Sequence, residues 1–166
     1  MRVSSKGIID GIIHDKYGKR GEVDKHGIPT CSLPLKIENA PEGTKSFAVV
    51  IEDKDAIPVS GGFSWIHWVA ANITKDELEE NESRTNNEII QGLNSWISIQ
   101  GGEVAKEFCM YYGGMTPPNE AHIYEIHVYA LDCLIDLKNG FYLNELHKKM
   151  HGHILEQVTL KGEYDS

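Results

Sequence analysis

The sequence is organised around residues Phe47–Ile73, which read FAVVIEDKDAIPVSGGFSWIHWVAANI. This stretch holds two apolar runs, 47–52 and 65–72, in which aromatic and β-branched residues recur with the period of two that is typical of β-strands. Apolar residues occupy both alternating faces of each run, which indicates central strands that are covered on both sides. The stretch therefore predicts two buried strands joined by one loop.

Polar residues stand out at the ends of these two runs. Asp53 and Asp55 lie where the first run ends, and His67 lies two residues into the second. A proline and two glycines give the connecting loop its turn-forming residues. Two acids and an imidazole at one end of an apolar frame are typical of a pocket. The alternative interpretation is that the aspartates form turns and that the histidine is an ordinary core residue whose ring nitrogens are hydrogen-bonded, since both situations are common.

The composition and net charge limit the structural class of the protein and its possible partners. The chain has 166 residues, of which 40% are hydrophobic and 25% are charged. These values are typical of one soluble globular domain, so we expect residues 1–166 to form a single domain. The formal net charge is -9, which repels nucleic acid and anionic lipid headgroups at long range. Nucleic acid is therefore excluded as a partner, whereas a local donor-rich pocket can still bind one small anion.

The sequence also predicts where the protein resides. The N-terminal stretch MRVSSKGIIDGII lacks the uninterrupted apolar core of a signal peptide, and no apolar run approaches the ~20 residues that span a bilayer. Cys31, Cys109 and Cys133 lack the spacing of a zinc or redox motif and indicate reduced thiols. We expect a cytoplasmic protein without stable membrane insertion and without a cofactor or bound metal. Its oligomeric state is open, with a homodimer as one alternative.

The rest of the chain adds strands and short helices. Further strands are predicted over 33–38, 122–132 and 155–164. A threonine followed three residues later by a glutamate has capping-box spacing and predicts a short acidic helix over 75–80. A second helix is predicted over 144–151. Because amphipathic helices do not alternate with the strands, the pattern favours a mostly β fold, an antiparallel β-sandwich.

Two motifs, in order along the chain, resemble those of the phosphatidylethanolamine-binding proteins. The closer likeness is to the bacterial and archaeal branch known as YbhB/YbcL or Raf kinase inhibitor-like. The family's D-P-D-A-P loop and H-W-V-x-x-N strand stand here as DKDAIP at 53–58 and HWVAAN at 67–72. Its Y-x-G-x-x-P-P turn and H-R-Y strand start stand here as YGGMTPP at 112–118 and HIY at 122–124. Shorter likenesses extend the resemblance over nearly the full chain.

This resemblance implies a fold and a site. The family fold is a large antiparallel sheet packed on a smaller one with a few short peripheral helices, in agreement with the sandwich that the pattern predicts. The family pocket takes small anions such as phosphate and phosphoryl headgroups. Carried onto the matching positions of this chain, the pocket is lined by Asp53, Asp55, Ala56, Trp65, His67, Gly114, Pro118, His122 and Tyr124. We expect both imidazoles and the tyrosine hydroxyl to donate hydrogen bonds to the anion.

The chain departs from the family pattern at three positions. Lys54 replaces the first proline of the loop, Ile57 is inserted before the second proline, and Ile123 replaces the arginine of the second motif. The longer loop predicts a longer and more mobile pocket rim. Loss of the arginine removes a cation with fixed donors. The C-terminal helix that eukaryotic members place beside the pocket is not expected here, which predicts a more open pocket.

The sequence supports three classes of function. The first, which the resemblance favours, is a non-catalytic and regulatory binding protein for a small anionic or phosphorylated ligand. The second is a hydrolase or metal-dependent enzyme that uses the pocket's histidines and aspartates as bases or ligands. No serine or cysteine in the context of a nucleophile elbow or triad accompanies them, so no catalytic residue is assigned. The third is an inhibitor of a kinase or protease that acts through protein contact, as some relatives do.

Overall fold

β-Strands carry most of the structure. The computed structural model describes all residues from Met1 to Ser166. The strands are β1 (Arg2–Ser4), β2 (Ile8–Ile9), β3 (Ile12–Ile13), β4 (Leu35–Glu38), β5 (Ser46–Asp53), β6 (Trp65–Ile73), β7 (Glu77–Leu78), β8 (Ile90–Gln91), β9 (His122–Leu131) and β10 (Ile154–Tyr164). The helices are α1 (Ile57–Ser60), α2 (Glu82–Thr85), α3 (Lys106–Cys109) and α4 (Leu143–Met150), with 3-10 turns at Asp15–Tyr17 and Ser95–Ile97.

A seven-stranded sheet forms the centre of the fold. Its strand order is β2-β3-β10-β9-β5-β6-β8. Neighbouring strands are antiparallel except for β3 and β10, which are parallel. A smaller sheet has the order β1-β4-β7. The predicted mostly β architecture, with one large and one small sheet, is confirmed.

Apolar cores cover both faces of the large sheet. The larger core contains Ile51 of β5 and Ile126 of β9 together with Ile37 of the small sheet, so it lies between the two sheets. The smaller core contains Val50 of β5 and Leu146 of α4, so it lies on the opposite face. Successive residues of a strand point to opposite faces, and the buried positions on both faces of β5 follow from its continuous apolar sequence.

The prediction of a helix over 75–80 is wrong. Part of this segment forms β7, which pairs with β4 and places Leu78 opposite Leu35. The N–H of Ile37 donates to the carbonyl oxygen of Asp76 at 2.7 Å, and the Leu78 side chain is buried between the sheets. The capping-box spacing is a local signal, and the burial gained by pairing with a distant strand overrides it.

The other predicted elements are confirmed with boundaries that differ by one or two residues. The strands predicted over 33–38 and 155–164 are β4 and β10, and the helix predicted over 144–151 is α4. Leu146 and Met150 lie one helical turn apart and are both buried against the large sheet. None of the helices has the length and apolar content needed to cross a membrane.

Candidate functional site

A cavity of about 280 Å³ lies where β5 ends and β6 and β9 begin. Asp53, the last residue of β5, pairs with Trp65 at the start of β6 and with Tyr124 near the start of β9. Antiparallel pairing brings the end of one strand beside the beginnings of its neighbours, so residues distant in sequence meet at this edge. The cavity is lined by Asp53, Ala56, Val59, Ser60, Trp65, His67, Trp96, Gln100, Gly101, Thr116, Pro118 and His122.

The structure brings most of the predicted site residues to this cavity. Those in its wall are Asp53, Ala56, Trp65, His67, Pro118 and His122. The other three lie outside the wall. Asp55 is exposed, and its carboxylate accepts the backbone N–H of Ile123 at 2.8 Å, which ties the loop to β9. Gly114 contributes a carbonyl oxygen to His67, and Tyr124 packs edge-on against the same ring, with centroids 5.1 Å apart.

The remaining wall residues were not predicted from the sequence. They are Val59, Ser60, Trp96, Gln100, Gly101 and Thr116. Trp96 contacts two of the predicted site residues, because its ring lies edge-on to Trp65 at 5.3 Å and to His67 at 5.4 Å. The segment that carries it has no strand or helix periodicity. The sequence signal for this turn is Asn94, because asparagine is a favoured helix N-cap residue. In the structure Asn94 caps the 3-10 turn by accepting the N–H of Trp96 at 3.1 Å.

His67 is held in one tautomer. It is buried, and its Nδ1 lies 2.7 Å from the carbonyl oxygen of Gly113 and 3.1 Å from that of Gly114. Carbonyl oxygens only accept hydrogen bonds, so Nδ1 carries a proton. Burial lowers the pKa of His67 and favours the neutral ring. Its buried Nε2, which has no partner within the protein, therefore presents a lone pair and acts as an acceptor.

Asp53 and His122 form a second buried arrangement. The carboxylate Oδ2 accepts from Nδ1 of His122 at 2.7 Å, and Oδ1 accepts the N–H of Ala56 at 3.1 Å. The other ring nitrogen, Nε2, lies 3.1 Å from Oδ1 of Asn119. Both ring nitrogens of His122 are thus engaged within the protein. The expectation that both imidazoles donate to an anion does not hold, because neutral His67 offers an acceptor and His122 has no free N–H.

At this site, two polar groups besides Nε2 of His67 are buried without a partner in the protein. They are the indole Nε1–H of Trp65 in the cavity wall and the hydroxyl of Tyr124, whose ring packs against His67. Burial and the charge of Asp53 raise the pKa of Tyr124, which keeps its hydroxyl protonated and able to donate. Buried polar groups are almost always hydrogen-bonded. The indole N–H of Trp65 and Nε2 of His67 belong to residues of the cavity wall, so a small ligand can use both.

No lysine or arginine lines the cavity. Lys54, which replaces a motif proline, forms ion pairs with Glu52 and Glu125 on the sheet instead. Ile123, which replaces the motif arginine, points its side chain to solvent, and Ile57 begins α1 in the loop. A ligand in the cavity therefore meets N–H and O–H dipoles and a carboxylate but no fixed cation.

Two clusters of side chains with metal-binding donor types lie elsewhere. They are Glu52, Glu125 and His127, and Asp132, Cys133 and His153. In the first cluster, Glu125 pairs with Lys54 and Lys161, which already neutralise its charge. Neither cluster includes His67 or His122.

Sequence comparison finds relatives over most of the chain. A family model described as phosphatidylethanolamine-binding protein matches residues 3–165. The chain is 42% identical over 154 residues to the uncharacterized protein YxkA of Bacillus subtilis, a match that covers 90% of this chain and 91% of that protein. It is 33% identical over 138 residues to a UPF0098 protein of Methanothermobacter thermautotrophicus, a match that covers 80% of this chain and 82% of that protein.

Solved structures with the same architecture agree with this result. A phosphatidylethanolamine-binding protein homologue from Chlamydia trachomatis superposes with a TM-score of 0.79 and 28% identity, over 99% of this chain and 96% of that one. E. coli YbcL superposes with a TM-score of 0.75 and 24% identity, over 99% of this chain and 98% of that one. The second likeness concerns the fold alone.

Proposed function

Because the chain belongs to the phosphatidylethanolamine-binding protein family, in its bacterial YbhB/YbcL branch, we propose that the cavity binds a small anionic or phosphorylated ligand without chemical conversion. The observation that carries this proposal is the indole N–H of Trp65, a buried donor in the cavity wall without a partner in the protein. The hydroxyl of Tyr124, whose ring packs against His67 outside the wall, is a second buried donor without a partner. Anion sites built from neutral donors are common in proteins.

The positions of the acidic and basic side chains support binding over catalysis. Asp53 and His122 have the hydrogen bond of a base and its orienting carboxylate, but Nε2 of His122 faces Asn119 instead of a nucleophile. Ser60 is the serine in the wall, and its hydroxyl donates to the carbonyl oxygen of Phe63 at 2.5 Å. A hydrolase would need one of these groups to be redirected toward the substrate.

A calorimetric titration with inorganic phosphate tests the proposal. We expect one phosphate to bind per chain. The Trp65→Phe variant keeps an aromatic ring beside Phe63 and Trp96, which contact Trp65 in the wild type, but it removes the N–H donor. Since a hydrogen bond to a charged group contributes about 1.5–3 kcal/mol, we expect phosphate to bind at least about tenfold more weakly to this variant.

A matched control separates loss of the donor from a general effect of aromatic substitution. Tyr142 is exposed and lies next to α4, outside the cavity wall, so Tyr142→Phe should leave phosphate binding unchanged. Thermal melts of both variants report whether the fold is kept. Absence of phosphate binding to the wild-type protein, or equal binding to wild type and Trp65→Phe, would contradict the proposal.

A further inference from the structure

The cavity presents acceptors as well as donors. Nδ1 of His67 is committed to the carbonyl oxygens of Gly113 and Gly114, so its unpartnered Nε2 is the acceptor. Asp53, also in the wall, is 3% exposed, and its carboxylate can only accept. These two acceptors would face the oxygen atoms of a bound oxyanion. Without a proton between them, acceptor and oxyanion repel each other.

Backbone hydrogen bonds and close packing hold the turn that contacts His67 in place. The N–H of Gly113 donates to the carbonyl oxygen of His67 at 2.9 Å, and the N–H of Gly114 donates to Pro29 at 2.9 Å. A Cβ atom at Gly114 would lie 2.1 Å from the carbonyl oxygen of Tyr17, so this backbone is closely packed. The carbonyl groups cannot easily turn away from Nδ1. The acceptor character of Nε2 is therefore built into the fold.

The charged groups around His67 do not reverse this arrangement. Burial is the largest influence on the pKa of His67 and lowers it. Asp53 on β5 and the hydrogen bonds to the Gly113 and Gly114 carbonyls raise this pKa, and His122 on β9 lowers it, with a net decrease. Tyr124 on β9 and Trp96 on the 3-10 turn also pack against the ring, and both are neutral. No lysine or arginine lines the cavity to compensate a doubly charged ligand.

We propose that the cavity selects an oxyanion that carries an acid proton, such as hydrogen phosphate or the monoanion of a phosphate monoester, over an equally charged oxyanion that carries none. This inference rests on the proposed function. The ligand's P–OH donates to Nε2 of His67, while the ligand's other oxygens accept from donors such as the indole N–H of Trp65. A ligand without the proton leaves Nε2 facing an oxygen lone pair.

The proposal predicts different affinities for oxyanions that have the same shape and charge but differ in whether they carry an acid proton. At pH ~8, hydrogen phosphate and sulfate are both tetrahedral dianions, and only hydrogen phosphate has an O–H. A phosphate monoester loses its last acid proton near pH ~6, so it should bind as the monoanion below that pH and more weakly above it. A phosphate diester, as found in a phospholipid headgroup, has no acid proton and should bind weakly at every pH.

The central experiment is a calorimetric comparison of phosphate and sulfate at pH ~8, with the wild-type protein and the His67→Asn variant. Asparagine can still donate to the Gly113 and Gly114 carbonyls but has no atom at the position of Nε2. We expect the wild type to bind hydrogen phosphate at least about tenfold more tightly than sulfate. In His67→Asn the ratio should fall toward one, mainly because phosphate binding weakens. His147→Asn, on the exposed face of α4, should keep the wild-type ratio.

The outcomes distinguish the inference from the function on which it rests. If neither phosphate nor sulfate binds, the proposed function fails and the inference fails with it. If both bind the wild type equally at pH ~8, the proposed function stands and the inference is overturned. The inference is also overturned if His67→Asn weakens both ions equally, because a positively charged imidazole would act on both.

A second measurement does not depend on how the variant folds. Methyl phosphate and dimethyl phosphate are titrated into the wild-type protein at pH ~5.5 and pH ~8, on either side of the monoester's last ionisation. Methyl phosphate should bind more tightly at the lower pH, whereas dimethyl phosphate and sulfate should bind weakly at both. A parallel rise in sulfate binding at the lower pH would instead show that the protein takes up the proton, which overturns the inference.

Discussion

The carboxylate of Asp53 and the imidazole of His122 meet at 2.7 Å although 69 residues separate them in sequence. Both side chains are buried, and the pairing of Asp53 with Tyr124 across β5 and β9 fixes their approach. A buried charge is costly unless its partners are in place. The contact therefore couples the strand register of the large sheet to the shape of the cavity.

Replacement of Asp53 by asparagine should destabilise the protein. The carboxylate accepts from both Nδ1 of His122 and the N–H of Ala56. An amide has only one oxygen, so one of these donors would face its NH2 group. We expect the free energy of unfolding to fall by about 2–3 kcal/mol, measured by urea denaturation. Asp55→Asn is the matched control, because its exposed carboxylate accepts only the N–H of Ile123, which an amide oxygen also accepts. Equal losses in the two variants would contradict a special role for the buried pair.

The stability should depend on pH through His67. Burial lowers its pKa below the ordinary 6.5, so below that pH the unfolded chain takes up a proton that folded His67 does not. The contribution of His67 to the free energy of unfolding is therefore complete above pH 6.5. This contribution decreases as the pH falls below 6.5. We expect the unfolding free energy to fall more steeply with acidification in the wild type than in His67→Asn, in urea titrations without phosphate. Parallel slopes would show that folded His67 titrates like the unfolded residue.

A second pH effect should appear in stronger acid. The hydrogen bond from His127, at 3.0 Å, and that from Ser64, at 2.9 Å, help lower the pKa of Glu52 from 4.5 to about 2. Folded Glu52 stays ionised while the unfolded chain protonates, so stability present above pH 4.5 is lost as the pH falls toward 2. After allowance for solvent screening at this partly exposed group, the loss is about 1 kcal/mol.

The Glu52→Gln variant measures this contribution. Its stability should fall less than that of the wild type between pH 4.5 and 2, as followed by thermal unfolding at each pH. Glu88→Gln, at an exposed position, should behave like the wild type. A Glu52→Gln curve that runs parallel to the wild-type curve would rule out the ionised Glu52 as a source of acid sensitivity.

Gly114→Ala should destabilise the turn beside the cavity. Its Cβ would lie 2.1 Å from the Tyr17 carbonyl oxygen, which is backbone and cannot rotate away. We expect a loss of about 2–4 kcal/mol in urea denaturation. Gly43→Ala is the control, because its φ of 88° is strained for alanine but its Cβ would meet nothing within 4 Å, so the loss there is about 1 kcal/mol. A smaller loss at Gly114 than at Gly43 would contradict the close packing.

The main strands could be predicted because their sequences carry the signal themselves. The apolar residues on both faces of 47–52 indicated a central strand, and β5 does lie between β6 and β9. The segment 75–80 could not be predicted, because its conformation depends on β4, about 40 residues earlier in the chain. Local spacing cannot report a pairing partner at that distance.

The site was predictable in part for the same reason. Asp53 and His67 lie at the ends of recognisable strands, and both reach the cavity. Trp96 and Gln100 lie in a segment without periodicity, so nothing local connected them to these strands. The protonation of His67 also could not be derived from sequence, because it depends on two carbonyl oxygens that lie 46 and 47 residues further along.

The position of β10 has a consequence for synthesis on the ribosome. This strand lies between β3 and β9, yet it is made after every other strand of the sheet. Until residues 154–164 emerge, β9 keeps a long unpaired edge, and such edges pair readily with other chains. During synthesis this edge of β9 therefore stays open to pairing with other chains until β10 has left the ribosome and closes it.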